Sequence, residues 1–270
     1  MPASPNSPDS PDARVDIVYL WVDGNDPAWR ARRHQAARQR GAIDPSAMAL
    51  YGNVEGRFRD NDELRYSLRA LERYFPDHGH VYLVTDGQTP AWLRPSSRLT
   101  LVDHRELIPA SQLPTFDSAH IESYVHRIPG LSERFFYFND DVFFGAPVRL
   151  DHWFWPGGVC ATWSDDPVVE GTALRSDENA LENASRLSAQ WLDRLPGYRH
   201  TPRTFAHSPR PLLKSMLQAA EAQAPELFER ARSTTFRNWA SPTLVSDFVL
   251  RRALAHGQLR MRECAHLHLT

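Results

Sequence analysis

Residues Val15–Pro27 read VDIVYLWVDGNDP, and this stretch decides the fold. The run from Val15 to Trp21 is short, β-branched and aromatic, and it stops abruptly at Asp23-Gly24-Asn25-Asp26-Pro27. That is the pattern of a buried strand delivered into a turn. Pro27 suits the first turn of a helix, and Ala28–Arg40 is rich in helix formers.

Working outward, the same grammar repeats. Over Asp60–Phe75, residues Leu64, Leu68, Leu71 and Phe75 form one apolar stripe and predict an amphipathic helix. A strand at Val81–Thr85 ends in Asp86-Gly87, a third at Leu99–Val102 ends in Asp103, and a short helix is expected around Ile121, Val125 and Ile128. Arg134–Phe138 (RFFYF) then runs into Asn139-Asp140-Asp141. Strands alternating with helices predict an α/β fold with a mostly parallel sheet and flanking helices, Rossmann-like in outline. Helices are expected over Pro211–Ala224, Pro225–Arg232 and Thr243–Ala255. The expected organisation is a disordered Pro/Ser/Asp-rich tail (1–13), an α/β core (14–150), an inserted or lid-like segment (151–205), and a helical C-terminal part (206–270) that completes the site.

Composition excludes several classes of function. The chain has 270 residues and a formal charge of −2, so no global basic field exists for nucleic acid. The Arg-rich stretch Arg30–Arg40 reads as a solvated helix face. Cys160 and Cys264 form no metal-binding spacing and no disulfide scaffold, and inert buried thiols in a reducing compartment are expected. No apolar run approaches a membrane span, and the N-terminus lacks the features of a signal peptide. The expectation is a cytoplasmic protein with at most peripheral contact at the inner face of the membrane. Asn183-Ala184-Ser185 matches a glycosylation sequon that such a location leaves unused.

In an open parallel sheet, ligands bind beyond the carboxyl ends of the strands, where Asp23-Gly24, Asp86-Gly87 and Asp140-Asp141 all fall. Any one of these aspartates is read equally well as a turn or helix cap. Gathered on one edge they would hold a hard divalent cation, Mg²⁺ or Mn²⁺, carrying phosphate oxygens. Adjacent carboxylates such as Asp140 and Asp141 repel each other, and a cation relieves that repulsion. His126, His207 and Arg237 are further candidates. His207, just before an expected helix, has the pKa range of a general base, and Arg237 could clamp a phosphoryl group. Trp153-Phe154-Trp155 is read either as a sugar-stacking platform or as core.

Three blocks of this sequence resemble the successive conserved regions of the Stealth proteins. The first is DIVYLWVDGNDP (Asp16–Pro27). The second runs from Arg59 to Gly145 and includes NDELRYSLRALERYFPDHGHVYLVTDGQTPAWL and HRIPGLSERFFYFNDDVFFG. The third spans roughly Gly171 to His256, with HSPRPLLKSML and TTFRNWASPTLVSDFVL. The resemblance implies an α/β fold and transfer of a sugar 1-phosphate, usually from a UDP-sugar, to a hydroxyl of a glycan acceptor, with release of UMP and a divalent cation in the site. Bacterial members build capsular or cell-wall polymers, and an animal relative transfers N-acetylglucosamine 1-phosphate to mannose. The match implies that Asp23, Gly24, Asp62, Arg65, Asp86, Gly87 and Gln88 hold the donor nucleotide. It implies metal or phosphate work for Asp140 and Asp141, and roles in transfer for His207 (base or nucleophile) and Arg237. The family's usual shorter fourth block has no clear counterpart before Thr270. A metal-dependent glycosyltransferase releasing UDP, or a catalytically degenerate carbohydrate-binding protein, are the competing readings.

Overall fold

A computed structural model describes residues 14–39, 56 and 58–263. The expected tail, the end of the Arg-rich stretch at Arg40, and Cys264 lie outside the described residues. In chain order the elements are β1 (Val15–Leu20), α1 (Pro27–Gln39), α2 (Glu63–Tyr74), β2 (Val81–Thr85), β3 (Leu99–Asp103), α3 (His104–Leu107), α4 (Ser118–Glu122) and β4 (Arg134–Asn139). They continue with β5 (Phe154–Trp155), β6 (Gly158–Ala161), α5 (Ala180–Leu192), β7 (Arg210–Leu213), α6 (Lys214–Gln223), α7 (Pro225–Arg232), α8 (Val249–Ala255) and β8 (Leu259–Met261).

The fold is α/β with two mixed sheets. The larger has the order β3-β2-β1-β4-β7. β3, β2, β1 and β4 pair in parallel, and β7 closes the edge antiparallel to β4, with Arg210 opposite Tyr137. All six residues of β1 are buried, which explains the unalternating run that opened the reading: a central strand covered on both faces has no solvent side to make polar. Phe135 to Phe138 are each at most 1 % exposed and join β1, α2 and the later helices in one apolar cluster. Burying such side chains contributes about 1.5–3 kcal/mol apiece against their exposed state. The second sheet, β5-β6-β8, is small and brings residues 154–161 beside the end of the described chain.

Three segments depart from the reading of the sequence. Pro211–Ala224 is not one helix: Arg210–Leu213 is a strand and the helix starts at Lys214. Pro211 lacks a donor, and an edge strand tolerates that loss. Over Thr243–Ala255 the first turn is wide, with the Phe248 N–H donating to the Thr243 carbonyl at 3.2 Å, before α8 begins. The polar patch at 176–188 is largely helix α5, begun by a reciprocal cap in which Asn179 accepts from the N–H groups of Leu181 and Glu182. Asn183, Ser185, Arg186 and Ser188 face inward. Ser185 accepts from the buried Arg251 guanidinium at 2.9 Å, and the sequon residue Asn183 is fully buried, donating to the Arg175 carbonyl. Phe154 is core, and Trp153 packs edge-on to Phe136 with ring centres 5.4 Å apart. Cys160 is buried and unpaired. No helix among the described residues is long and apolar enough to cross a membrane.

Candidate active site

The sheet places its chemistry at one edge. β2 and β3 lie on one side of β1 and β4 on the other, so the strand order reverses at the β1–β4 boundary, the position beyond whose carboxyl ends open α/β sheets bind their ligands. Asp23-Gly24 leaves β1 there and Asp140-Asp141 leaves β4. Because β7 is antiparallel to β4, the residues that precede it fall at the same end. His207 is thereby carried to the tip of β4, where its Nε2 is 2.8 Å from the amide nitrogen of Asn139.

The loop after β1 is bound to the loop after β2 by one side chain. Gln88 accepts from the Asp23 N–H at 3.0 Å and donates to the Asp23 carbonyl at 3.0 Å and to Asp26 at 2.9 Å. Gly24 has no space for a side chain: a Cβ there would lie 1.9 Å from the Phe58 carbonyl oxygen. Gly87 takes a left-handed turn with φ +70°. Asp86 is directed to α1, where Arg32 donates to its carboxylate at 2.7 Å. Asp23, Gly24, Gly87 and Gln88 therefore form one constructed wall, and Asp86 buttresses it.

The start of α2 faces this wall. Asp62 has φ 67°, a left-handed conformation uncommon outside glycine, and its side chain makes no capping bond to the helix it precedes. Such outliers persist where the surroundings hold them and are concentrated at functional sites. Arg65 lies 3.9 Å from the Asp62 carboxylate, its guanidinium 6.0 Å from the centre of the Trp92 ring. Asp60, which the sequence reading passed over, accepts from the Trp21 indole at 3.3 Å. Burial raises its carboxyl, and the charges of Glu63 and Asp23 add to the rise.

Asp140 shows what this gathering does. Burial, the neighbouring Asp141, and the charges of Glu63 and Asp60 push its carboxyl up to about 7. The charges of Asp60, Glu63 and Asp141 thus bear on Asp140, as those of Glu63 and Asp23 bear on Asp60. Among the described residues no three His, Cys, Asp or Glu side chains converge closely enough to hold a metal ion by themselves. Such a donor set suits a small hard cation that completes its shell with water and substrate phosphate, as Mg²⁺ does.

Arg237 approaches from the segment after α7, donating to Ser118 at 2.9 Å with its Nε 3.8 Å from Asp117, both at the start of α4. Its charge reaches the buried Glu122 and Tyr137. Tyr137 lies 3.0 Å from the side-chain oxygen of Asn139, so Arg237 and His207 approach opposite ends of one polar chain. His126 is not brought to this edge. It is 4 % exposed, its Nε2 is 2.8 Å from Glu221, and its ring packs edge-on to Phe228. Glu221 also pairs with Arg127 and Arg232, and burial pulls His126 down to about 4. This places His126 in a helix-packing network remote from the acidic edge.

The first and second conserved regions of the Stealth proteins match residues 13–41 and 57–161 of this chain. Similar proteins include an exopolysaccharide phosphotransferase of Streptomyces coelicolor, 41 % identical over 86 % of this chain and 24 % of its own length. A second exopolysaccharide phosphotransferase of that organism is 42 % identical over 86 % of this chain and 38 % of its own length. A capsular polysaccharide phosphotransferase of Actinobacillus pleuropneumoniae is 34 % identical over 86 % of this chain and 65 % of its own length. The chain belongs to the Stealth family. It spans from about a quarter to just under two thirds of the length of these relatives.

Proposed function

We propose that this chain is a phosphotransferase of polysaccharide synthesis, moving a hexose 1-phosphate from a UDP-sugar to a hydroxyl of a glycan acceptor and releasing UMP. The observation that carries this reading is the contact between His207 and Asn139, which brings an imidazole to the tip of β4, at the residue that precedes the acidic pair Asp140-Asp141. A proton acceptor next to a place for phosphate is what hydroxyl attack on phosphorus requires.

In this mechanism the wall of Asp23, Gly24, Gly87 and Gln88, with Asp62 and Arg65 opposite, seats the donor nucleotide in the α/β core before residue 150. The acceptor hydroxyl loses its proton to His207 as its oxygen bonds to the phosphorus that bears the sugar. The anhydride P–O bond breaks and UMP departs with the bonding pair. Arg237 donates to the phosphoryl oxygens as charge develops on them. Asp140 and Asp141 would be the residues to hold a Mg²⁺ or Mn²⁺, which would supply charge neutralisation for the pyrophosphate. The relatives' names, as polysaccharide phosphotransferases, support both the reaction class and a polysaccharide acceptor.

The test identifies the nucleotide made from a panel of UDP-sugars with a glycan acceptor and Mg²⁺. UMP, lost on chelation and in Asp141→Ala and His207→Ala, supports the proposal. UDP would mean glycosyl transfer, and binding unaffected by His207→Ala without either product would mean a carbohydrate-binding role.

A further inference from the structure

A buried hydrogen-bond chain leads away from His207 into the protein. Tyr137 and Asn139 are two residues apart on β4 and so project from one face of the sheet. The Tyr137 hydroxyl is 3.0 Å from the Asn139 oxygen and 2.8 Å from Oε1 of Glu122, which α4 supplies. Glu122 is 3 % exposed and Tyr137 1 % exposed, and Oε2 of Glu122 makes no hydrogen bond among the described residues. The charged groups around Glu122 are Arg237 after α7, Arg210 on β7 and Asp117 at the start of α4, with the Tyr137 phenol on β4. Arg210 spends its hydrogen bonds on Ser246 and the Ala206 carbonyl.

The chain contains a conflict that only two arrangements resolve. Tyr137 has one proton and two oxygens within reach, so it donates to Glu122 or to Asn139 and not to both. If Glu122 is ionised, Tyr137 donates to it and the Asn139 side-chain amide, turned over so that its nitrogen faces the phenol, donates to Tyr137. The Asn139 oxygen then accepts from His207 Nε2–H, and Nδ1 is the basic nitrogen. If Glu122 is protonated, every donor reverses: Glu122 donates to Tyr137, Tyr137 to the Asn139 oxygen, and the Asn139 amide to His207 Nε2, with the ring proton on Nδ1. Either arrangement admits one tautomer. We propose that Glu122 is a positioning residue for His207, fixing through Tyr137 and Asn139 which imidazole nitrogen carries the proton. Its relevance to transfer rests on the reading of His207 as proton acceptor.

The direct measurement is the ¹⁵N NMR spectrum of the His207 ring in the full chain at pH 8, assigned by its disappearance in His207→Ala. One tautomer is expected to dominate by about tenfold, the strength of one good hydrogen bond. Tyr137→Phe, which keeps the ring and removes the hydroxyl, should reduce that preference to a few-fold. Glu122→Leu should do the same, and it serves should the first variant fold poorly. UMP release from UDP-N-acetylglucosamine by Tyr137→Phe should show kcat lowered about tenfold, donor KM unchanged and a displaced pH profile. A general packing defect would lower the melting temperature without moving the pH profile. A mixed tautomer in the unmodified protein, or a tautomer and pH profile indifferent to both substitutions, overturns the proposal. If His207→Ala retains full activity, the proton-acceptor reading fails instead, and the NMR result still judges the hydrogen-bond chain.

Discussion

The two ends of the larger sheet each hold a carboxylate in a strand or just beyond one, and they treat it oppositely. At the amino end, Asp16 of β1 is fully buried and fully engaged. It accepts from the His80 N–H at 2.7 Å and the Ser132 N–H at 2.9 Å, and it pairs with Arg14 at 2.9 Å. At the carboxyl end, Asp140 is half-buried among other acids, and its carboxyl is pushed up to about 7. A satisfied buried charge holds loops in place, whereas crowded carboxylates carry a cost that a proton or a bound cation relieves. The same contrast separates the histidines. His126 is enclosed by the Glu221 network, while His207 is exposed at the tip of β4.

Substitutions can break this comparison from either end. The largest effect is expected at His207: His207→Ala should lower the transfer rate by about 10³-fold, in the range for loss of a general base, with the melting temperature unchanged. Asp140→Asn should lower the rate by about 100-fold yet stabilise the cation-free protein. The sign follows from the raised carboxyl: the folded state retains a proton that the unfolded chain releases near pH 4, so stability falls as pH rises toward 7. Melting curves should therefore show a gain for Asp140→Asn at pH 8 and none at pH 4.

Asp16→Asn should do the reverse, costing about 3 kcal/mol of stability by leaving buried partners unmatched. The rate per folded molecule should stay within about twofold, as active-site titration against a melting curve would show. The smallest effect belongs to His126. Its pKa, lowered to about 4, means that the unfolded chain gains a proton below about pH 6.5 and the folded protein does not, so stability is lost as pH falls from there toward 4. His126→Gln should flatten that part of the stability profile and leave transfer unchanged.

The fold was legible in the sequence wherever a strand or helix obeyed its period. The apolar run of β1 and the Leu64–Leu71 stripe of α2 needed no tertiary information. β7 was not legible, because Pro211 reads locally as the start of a helix and only pairing with β4 makes Arg210–Leu213 a strand. α5 was obscured because Asn183, Ser185 and Ser188 face inward toward polar partners, which inverts the usual pattern. Of the candidate site, the acidic turns stood out because they interrupt apolar runs. Asp60, Glu122, Tyr137 and Asn139 acquire their meaning from neighbours 15 to 68 residues distant, and no local pattern announces such contacts.

On the proposed function, the crowded carboxylates at the β1–β4 edge receive a pyrophosphate through a divalent cation. Calorimetric titration of the full chain with UDP, in Mg²⁺ and in chelator, measures this directly. Binding at least about tenfold tighter with Mg²⁺ is expected, an advantage that disappears in Asp140→Asn and survives in Asp16→Asn. Equal affinity in chelator, or a Mg²⁺ effect that Asp140→Asn leaves intact, would contradict it.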